Sequence, residues 1–173
     1  IYFGIVNKSN AAEVVEIWDI SEEFGENNVT ATLYDDGNFV ISGTGKMENY
    51  FYDATSRPFY NEIEEIKKVE IKNGVTSIGD YTFYNCSSIT NIELPDSLTS
   101  IGYYAFFSCS SLTNIEIPDG VISIGDCAFK DSYNLISIEI PESVTSISDY
   151  AFKGCRGLTG IEIPESLTRI GVS

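Results

Sequence analysis

Five glutamates recur at a fixed spacing in this 173-residue chain: Glu70, Glu93, Glu116, Glu139 and Glu162, each 23 residues after the last. A second acidic row, Asp96, Asp119, Glu142 and Glu165, keeps the same period. Carboxylates in a row can attract a basic protein patch, hold a cation, or act in pairs as acid and base in hydrolysis. Cysteine chemistry is poorly supplied by comparison. Cys86, Cys109, Cys127 and Cys155 form no C-x-x-C pair, and the chain has no histidine to activate a thiol or complete a zinc site. The run Ser42-Gly43-Thr44-Gly45-Lys46 imitates a phosphate loop, yet it lacks the first glycine and has Met47 where a hydroxyl should follow, so it reads as a turn.

Whatever these groups do, the repeat must position them. Residues 75–97, 98–120, 121–143 and 144–166 are four gapless copies of one 23-residue unit, from VTSIGDYTFYNCSSITNIELPDS to VTSISDYAFKGCRGLTGIEIPES. The half-copy IKKVEIKNG precedes them at 66–74, and the truncated copy LTRIGVS follows at 167–173. Leu112, Ile115 and Ile117, with their counterparts in the other copies, spell L-x-x-L-x-L, the signature of a short strand in a leucine-rich-repeat solenoid. The last two apolar residues alternate with the glutamate, which must therefore point outward from the strand. Inward columns are expected at Val75, Leu98, Val121, Val144 and at Ile78, Ile101, Ile124, Ile147, Ile170. The stretch around A-F-x-x-C is expected to make a helical turn that drops Phe83, Phe106, Phe129 and Phe152 into the core. Cys86, Cys109 and Cys155 share a register and are expected to be free, core-filling thiols; stacked parallel side chains hold their Cβ atoms near strand spacing, too far for a Cys86–Cys109 disulfide.

One copy cannot fold alone. Six large apolar groups stabilise by roughly 1.5–3 kcal/mol each, whereas ordering each of the unit's backbones costs roughly 1–2 kcal/mol. Stability must come from each copy covering its neighbour. The expected fold class is thus α/β but β-rich: a right-handed solenoid with one parallel strand and a short helical turn per repeat. Residues 1–65 are expected to supply a segment and a β-hairpin cap, with Asp35-Asp36-Gly37-Asn38 as the hairpin turn and Trp18 plugging the cap core. The solenoid is expected over 66–173. Opening on Ile1 with no leader and stopping at Ser173 within a copy, the chain reads as a piece of a longer protein, with the last copy's apolar face raw.

The net charge is −16, shared evenly between 1–74 and 75–173. An acidic surface repels phosphate backbones and anionic membranes, which excludes nucleic acid. No apolar run approaches the length of a membrane helix. Cofactors are not expected, and a straight row of single carboxylates is a poor calcium cage.

The motif S-I-G-D-Y-A-F-x-x-C-x-x-L-T-x-I-E-I-P resembles the BspA-type leucine-rich repeat, strongly over Ile66 to Ser173. The stretch WDIS…NVTATLYDDGNFVISGTGKM resembles the segment that often precedes such repeats in gut bacterial proteins. Ser132 in place of the repeat's cysteine, Cys127 in place of a tyrosine and Ser148 in place of a glycine depart from the pattern without breaking its core. The resemblance implies a non-catalytic, extracellular scaffold at a bacterial surface or secreted, engaged in adhesion. Its partner would be a protein, such as a host matrix protein, or a glycan. The expected footprint is the strand face: Asn91, Glu93, Asn114, Glu116, Ser137, Glu139 and Glu162, flanked by Thr90, Thr113, Ile136, Thr159 and Gly160. The alternative is a spacer that displays another domain of a longer surface protein. End-to-end self-association at the last repeat is a further expectation.

Overall fold

A computed structural model describes residues 11–22, 28–52 and 55–172. Whether residues 1–12 form an ordered edge or a linker falls largely outside the described residues.

The N-terminal part is an antiparallel meander of β1 (Val14–Asp19), β2 (Thr30–Tyr34) and β3 (Asn38–Ser42). Period-2 alternation puts Ala31, Leu33, Phe39 and Ile41 inside, all fully buried. The expected hairpin turn is present. Gly37 takes φ +84°, and the Asp36 carboxylate accepts the Asn38 amide at 2.9 Å and its side-chain NH2 at 2.7 Å. Trp18 packs against Phe39 and Phe59 with ring centroids 6.0 Å away in each case. The Ser42–Lys46 run bends at Gly43 and Thr44 between β3 and β4 (Gly45–Lys46), with the Thr44 amide donating to the Asn28 side chain at 2.8 Å.

The repeats follow as β5 (Lys68–Ile71), β6 (Val75–Ile78), β7 (Asn91–Glu93), β8 (Ser100–Ile101), β9 (Asn114–Glu116), β10 (Ser123–Ile124), β11 (Ser137–Glu139), β12 (Ser146–Ile147) and β13 (Arg169–Ile170). Each of the first three full copies lays one strand on each of two sides, and the fourth lays a strand on one. The first side runs β1-β2-β3-β5-β7, turning parallel where β3 meets β5, and is continued by the parallel pair β9-β11. The second is a parallel ladder, β4-β6-β8-β10-β12-β13, in which Ile78, Ile101, Ile124, Ile147 and Ile170 stand in strict register. The cap is therefore not a lid set on the end: β3 is itself a rung of the solenoid sheet.

Between the sheets runs a column of phenylalanines. Phe83, Phe106, Phe129 and Phe152 stack with centroid spacings of 5.3, 5.2 and 5.5 Å and interplanar angles of 5°, 16° and 7°. Phe39 closes on Phe83 at 6.4 Å, so the column continues into the cap. Ring pairs of this kind contribute about 0.5–1.5 kcal/mol beyond burial.

The third side of each coil corrects the sequence expectation: it contains no helical turn. Tyr81, Tyr104, Cys127 and Tyr150 have φ of 57°, 54°, 54° and 58°, and Asn85, Ser108, Asp131 and Gly154 have 58°, 54°, 60° and 80°. Two left-handed residues per copy end any helix before it starts. The freed amides bond sideways to the next copy instead: Tyr81 N–H to Tyr103 O at 2.9 Å, Phe83 N–H to Ala105 O at 2.8 Å and Asn85 N–H to Phe107 O at 2.8 Å. These inter-coil bonds offset the left-handed cost of roughly 1–2 kcal/mol per residue. Among the described residues the helical content is one 3-10 turn, Tyr60–Glu62, so the expected β-rich, parallel-stranded solenoid is present and its helical part is almost nil.

The cysteines are free and buried. Their register has a structural task that explains the departure at Ser132. The Cys109 thiol donates to Phe83 O at 3.3 Å, the Ser132 hydroxyl to Phe106 O at 2.9 Å and the Cys155 thiol to Phe129 O at 3.0 Å. Below the first copy a different group completes this line: Arg57, 1% exposed, donates to Thr82 O at 3.1 Å and Tyr84 O at 2.8 Å and lies 3.6 Å from the Cys86 sulfur.

Candidate functional site

The first sheet positions the acidic row as the 23-residue period requires. Glu70 stands opposite Glu93, and Glu116 opposite Glu139, because the strands pair in register. Val69, Ile92, Ile115 and Ile138 form the buried column behind them, each at most 7% exposed. Alternation then turns the glutamates outward, and parallel strands set them about 4.8 Å apart from rung to rung. Glu93, Glu116, Glu139 and Glu162 are exposed, as are Asn114 and Ser137; Asn91 is half-buried and donates to Glu93 at 3.4 Å. Glu162 stands apart, because residues 159–164 form no strand although Ile161 remains half-buried.

The second acidic row completes the surface. Glu93, Asp96, Glu116 and Asp119 line one open groove of about 420 Å³, and Glu116, Asp119, Glu139, Glu142 and Glu162 line the next, of about 640 Å³. Among the described residues the ion pair on this face is Lys72 with Glu70, at the cap end. The other carboxylates face solvent without a cation. Among the described residues no three His, Cys, Asp or Glu side chains come together as a metal-holding group. The grooves are open and the carboxylates stand side by side, so this surface can attract cationic groups but has no enclosed space in which a carboxyl could be tuned for acid catalysis.

A second surface lies on the third side of the coil, outside the footprint expected from the sequence. On the third side, Tyr81 stacks on Tyr104 at 5.1 Å and Tyr84 on Phe107 at 4.8 Å. Tyr103 joins them at 5.4 Å from Tyr81, and Tyr52 comes across from the cap to within 6.0 Å of Tyr84. Desolvation, reinforced by the neighbouring phenols, pushes the Tyr81 hydroxyl up to about 12, so this ring stays neutral at physiological pH. The period could have revealed the cluster: columns 81/104 and 84/107 are aromatic in two consecutive copies. Its link to Tyr52 crosses the cap boundary and has no sequence signal.

Among the described residues no helix is long and apolar enough to cross a membrane. No protein of curated function matches the sequence. Solved structures do. A leucine rich cell surface protein from Faecalibacterium prausnitzii A2-165 is 27% identical, with 94% of this chain and 52% of that one covered and a TM-score of 0.53. The pneumococcal vaccine antigen PcpA gives a TM-score of 0.62 at 21% identity, over 83% of this chain and 41% of that one. A leucine-rich repeat protein from Eubacterium ventriosum ATCC 27560 gives 0.53 at 20% identity, covering 91% and 62%. The last two establish the fold alone, and the chain spans about two-fifths to three-fifths of these three proteins. Residues 54–173 match the BspA type leucine rich repeat region in six copies, as many as the four full and two partial copies counted in the sequence. A match over that much of the chain, on a solenoid whose coils repeat the family's period, shows that the protein belongs to the BspA-type leucine-rich-repeat family.

Proposed function

We propose that this chain is a non-catalytic binding scaffold of a cell-surface or secreted bacterial protein, engaging a protein ligand through the strand face. The observation that carries this reading is the exposed row of Glu93, Glu116 and Glu139, the last two paired in register, over two contiguous acidic grooves. Neighbouring charges at rung spacing repel by only about 1 kcal/mol in water, so the row persists without a ligand and gains when a basic patch docks on it. Asn91, Asn114 and Ser137 place hydrogen-bonding groups beside each carboxylate, so the footprint can specify as well as attract. The resemblance of the fold to a leucine rich cell surface protein supports the location, and an extracellular matrix protein with a basic surface fits the charge.

The test is capture of immobilised matrix proteins by the wild type and by a variant carrying Glu93→Gln, Glu116→Gln and Glu139→Gln together. Loss of capture in the variant, with a salt-sensitive wild-type signal, is the expected result. Capture that survives all three substitutions would remove the strand face from the reading. No partner above background would leave the spacer as the better account.

A further inference from the structure

Three residue columns on the third side of the coil change character along the solenoid. Column 84/107/130/153 reads Tyr, Phe, Lys, Lys, column 81/104/127/150 reads Tyr, Tyr, Cys, Tyr, and column 80/103/126/149 reads Asp, Tyr, Asp, Asp. In the later copies the lysines use the rings beside them. Lys130 Nζ lies over Phe107 at 5.6 Å and Lys153 Nζ over Tyr150 at 4.7 Å, while the Arg156 guanidinium covers Tyr133 at 5.4 Å. The chain itself thus seats cations on aromatic rings three times in two copies. In the first two copies the lysine is replaced by another ring, and among the described residues no cation covers Tyr52, Tyr81, Tyr84, Tyr103 or Tyr104.

The arrangement of these rings selects among ligands. Tyr52 stands at 80° to Tyr81 and 66° to Tyr84, and Tyr103 at 71° to Tyr81 and 60° to Tyr104. Steeply angled rings make walls; a sugar or a proline stacks best on a flat floor. Walls of negative ring face suit a compact cation, as in aromatic cages. Tyr52 is 72% exposed and Tyr103 37% exposed, so the cluster is open to a partner. With a net charge of −16, the chain draws cationic rather than anionic groups to any such surface.

We propose that Tyr52, Tyr81, Tyr84, Tyr103 and Tyr104, bordered by the Lys130-covered ring of Phe107, form a second docking surface that seats arginine or lysine side chains from a basic segment of a partner polypeptide. It is separate from the strand face and does not depend on it. The partner supplies to the first two copies the cation that the later copies carry within themselves.

The test measures binding of an end-capped hexa-arginine peptide and of its neutral citrulline counterpart by calorimetry. The protein is the full chain carrying Glu93→Gln, Glu116→Gln and Glu139→Gln, so that attraction to the strand face is removed. Tyr52→Leu with Tyr103→Leu is then added; both residues are exposed, and leucine keeps apolar area while removing the ring, so the fold is not at stake. The expected result is binding of hexa-arginine in preference to the citrulline peptide, weakened about fivefold or more by the double substitution, the size expected for two exposed cation–π contacts. A smaller loss, equal binding of both peptides, or no binding overturns the proposal. Binding of a neutral oligosaccharide such as maltohexaose that is lost on the same substitution, with hexa-arginine indifferent to it, would assign the surface to sugars and equally overturn it.

Discussion

Ile117 and Ile163 occupy one register in nearly identical local sequence, IEIPD and IEIPE, yet Ile117 is 4% exposed and Ile163 is 52% exposed. The same holds for strands: residues 114–116 form β9, whereas 160–163 form none. Phe129 is fully buried between Phe106 and Phe152, while Phe152 itself, with a ring on one side, is only half-buried. The N-terminal side differs again. There β3 provides the missing strand, Phe39 and Phe59 the missing rings, and Arg57 the missing donor. A coil's structure is thus conferred by its neighbours, and any element that matches the pattern of strand, ring and donor can act as a neighbour.

Identical substitutions should therefore have unequal consequences along the stack. Phe106→Ala removes a ring covered on both sides and should cost about 3–5 kcal/mol in denaturant unfolding. Phe152→Ala should cost less than half as much, and equal costs would show that covering neighbours do not set the stability of a coil. Arg57→Met tests the cap's stand-in for a coil. It withdraws charged donors from Thr82 and Tyr84 carbonyls and should cost roughly 1.5–3 kcal/mol, whereas a neutral effect would mean that those carbonyls are satisfied without it.

The thiol column makes a pH prediction. Desolvation pushes Cys86 and Cys155 up to about 11 and Cys109 well above the usual thiol range. A thiol whose folded pKa is raised keeps its proton when the unfolded chain has lost it. The contribution of Cys86 and Cys155 is therefore fully present below about pH 9 and is lost as pH rises from about 9 to 11, and Cys109 acts in the same direction. Replacing Cys86, Cys109 and Cys155 with serine should reduce that alkaline slope, leaving the part that the raised tyrosine hydroxyls contribute above about pH 10. In native protein Cys155, at the less covered end, should be alkylated before Cys86 and Cys109. Smallest of all, Ser132→Cys should change stability by no more than about 1 kcal/mol, because either side chain donates to Phe106 O.

The repeat period, the inward columns and the outward glutamates could be read directly, since a strand's two-residue alternation and a strict 23-residue return leave one arrangement that buries Ile92, Ile115 and Ile138 together. The third side departs from its sequence expectation. A-F-x-x-C has the composition of a helical turn, but only alternate amides bond three residues back; those between them bond to the next coil, and that choice exists only once coils stack. Asn85, Asp131 and Gly154, three of the four residues in one column and all of types that tolerate left-handed backbone, were the available clue.

Local order thus came from the chain's own periodicity, because pattern and pleat share a small integer. Which rings meet Tyr52, why a buried arginine sits under Cys86, and where a coil frays depend on contacts between segments distant along the chain. Such contacts are set by packing three sides of a coil against its neighbours, and no single 23-residue unit contains that information.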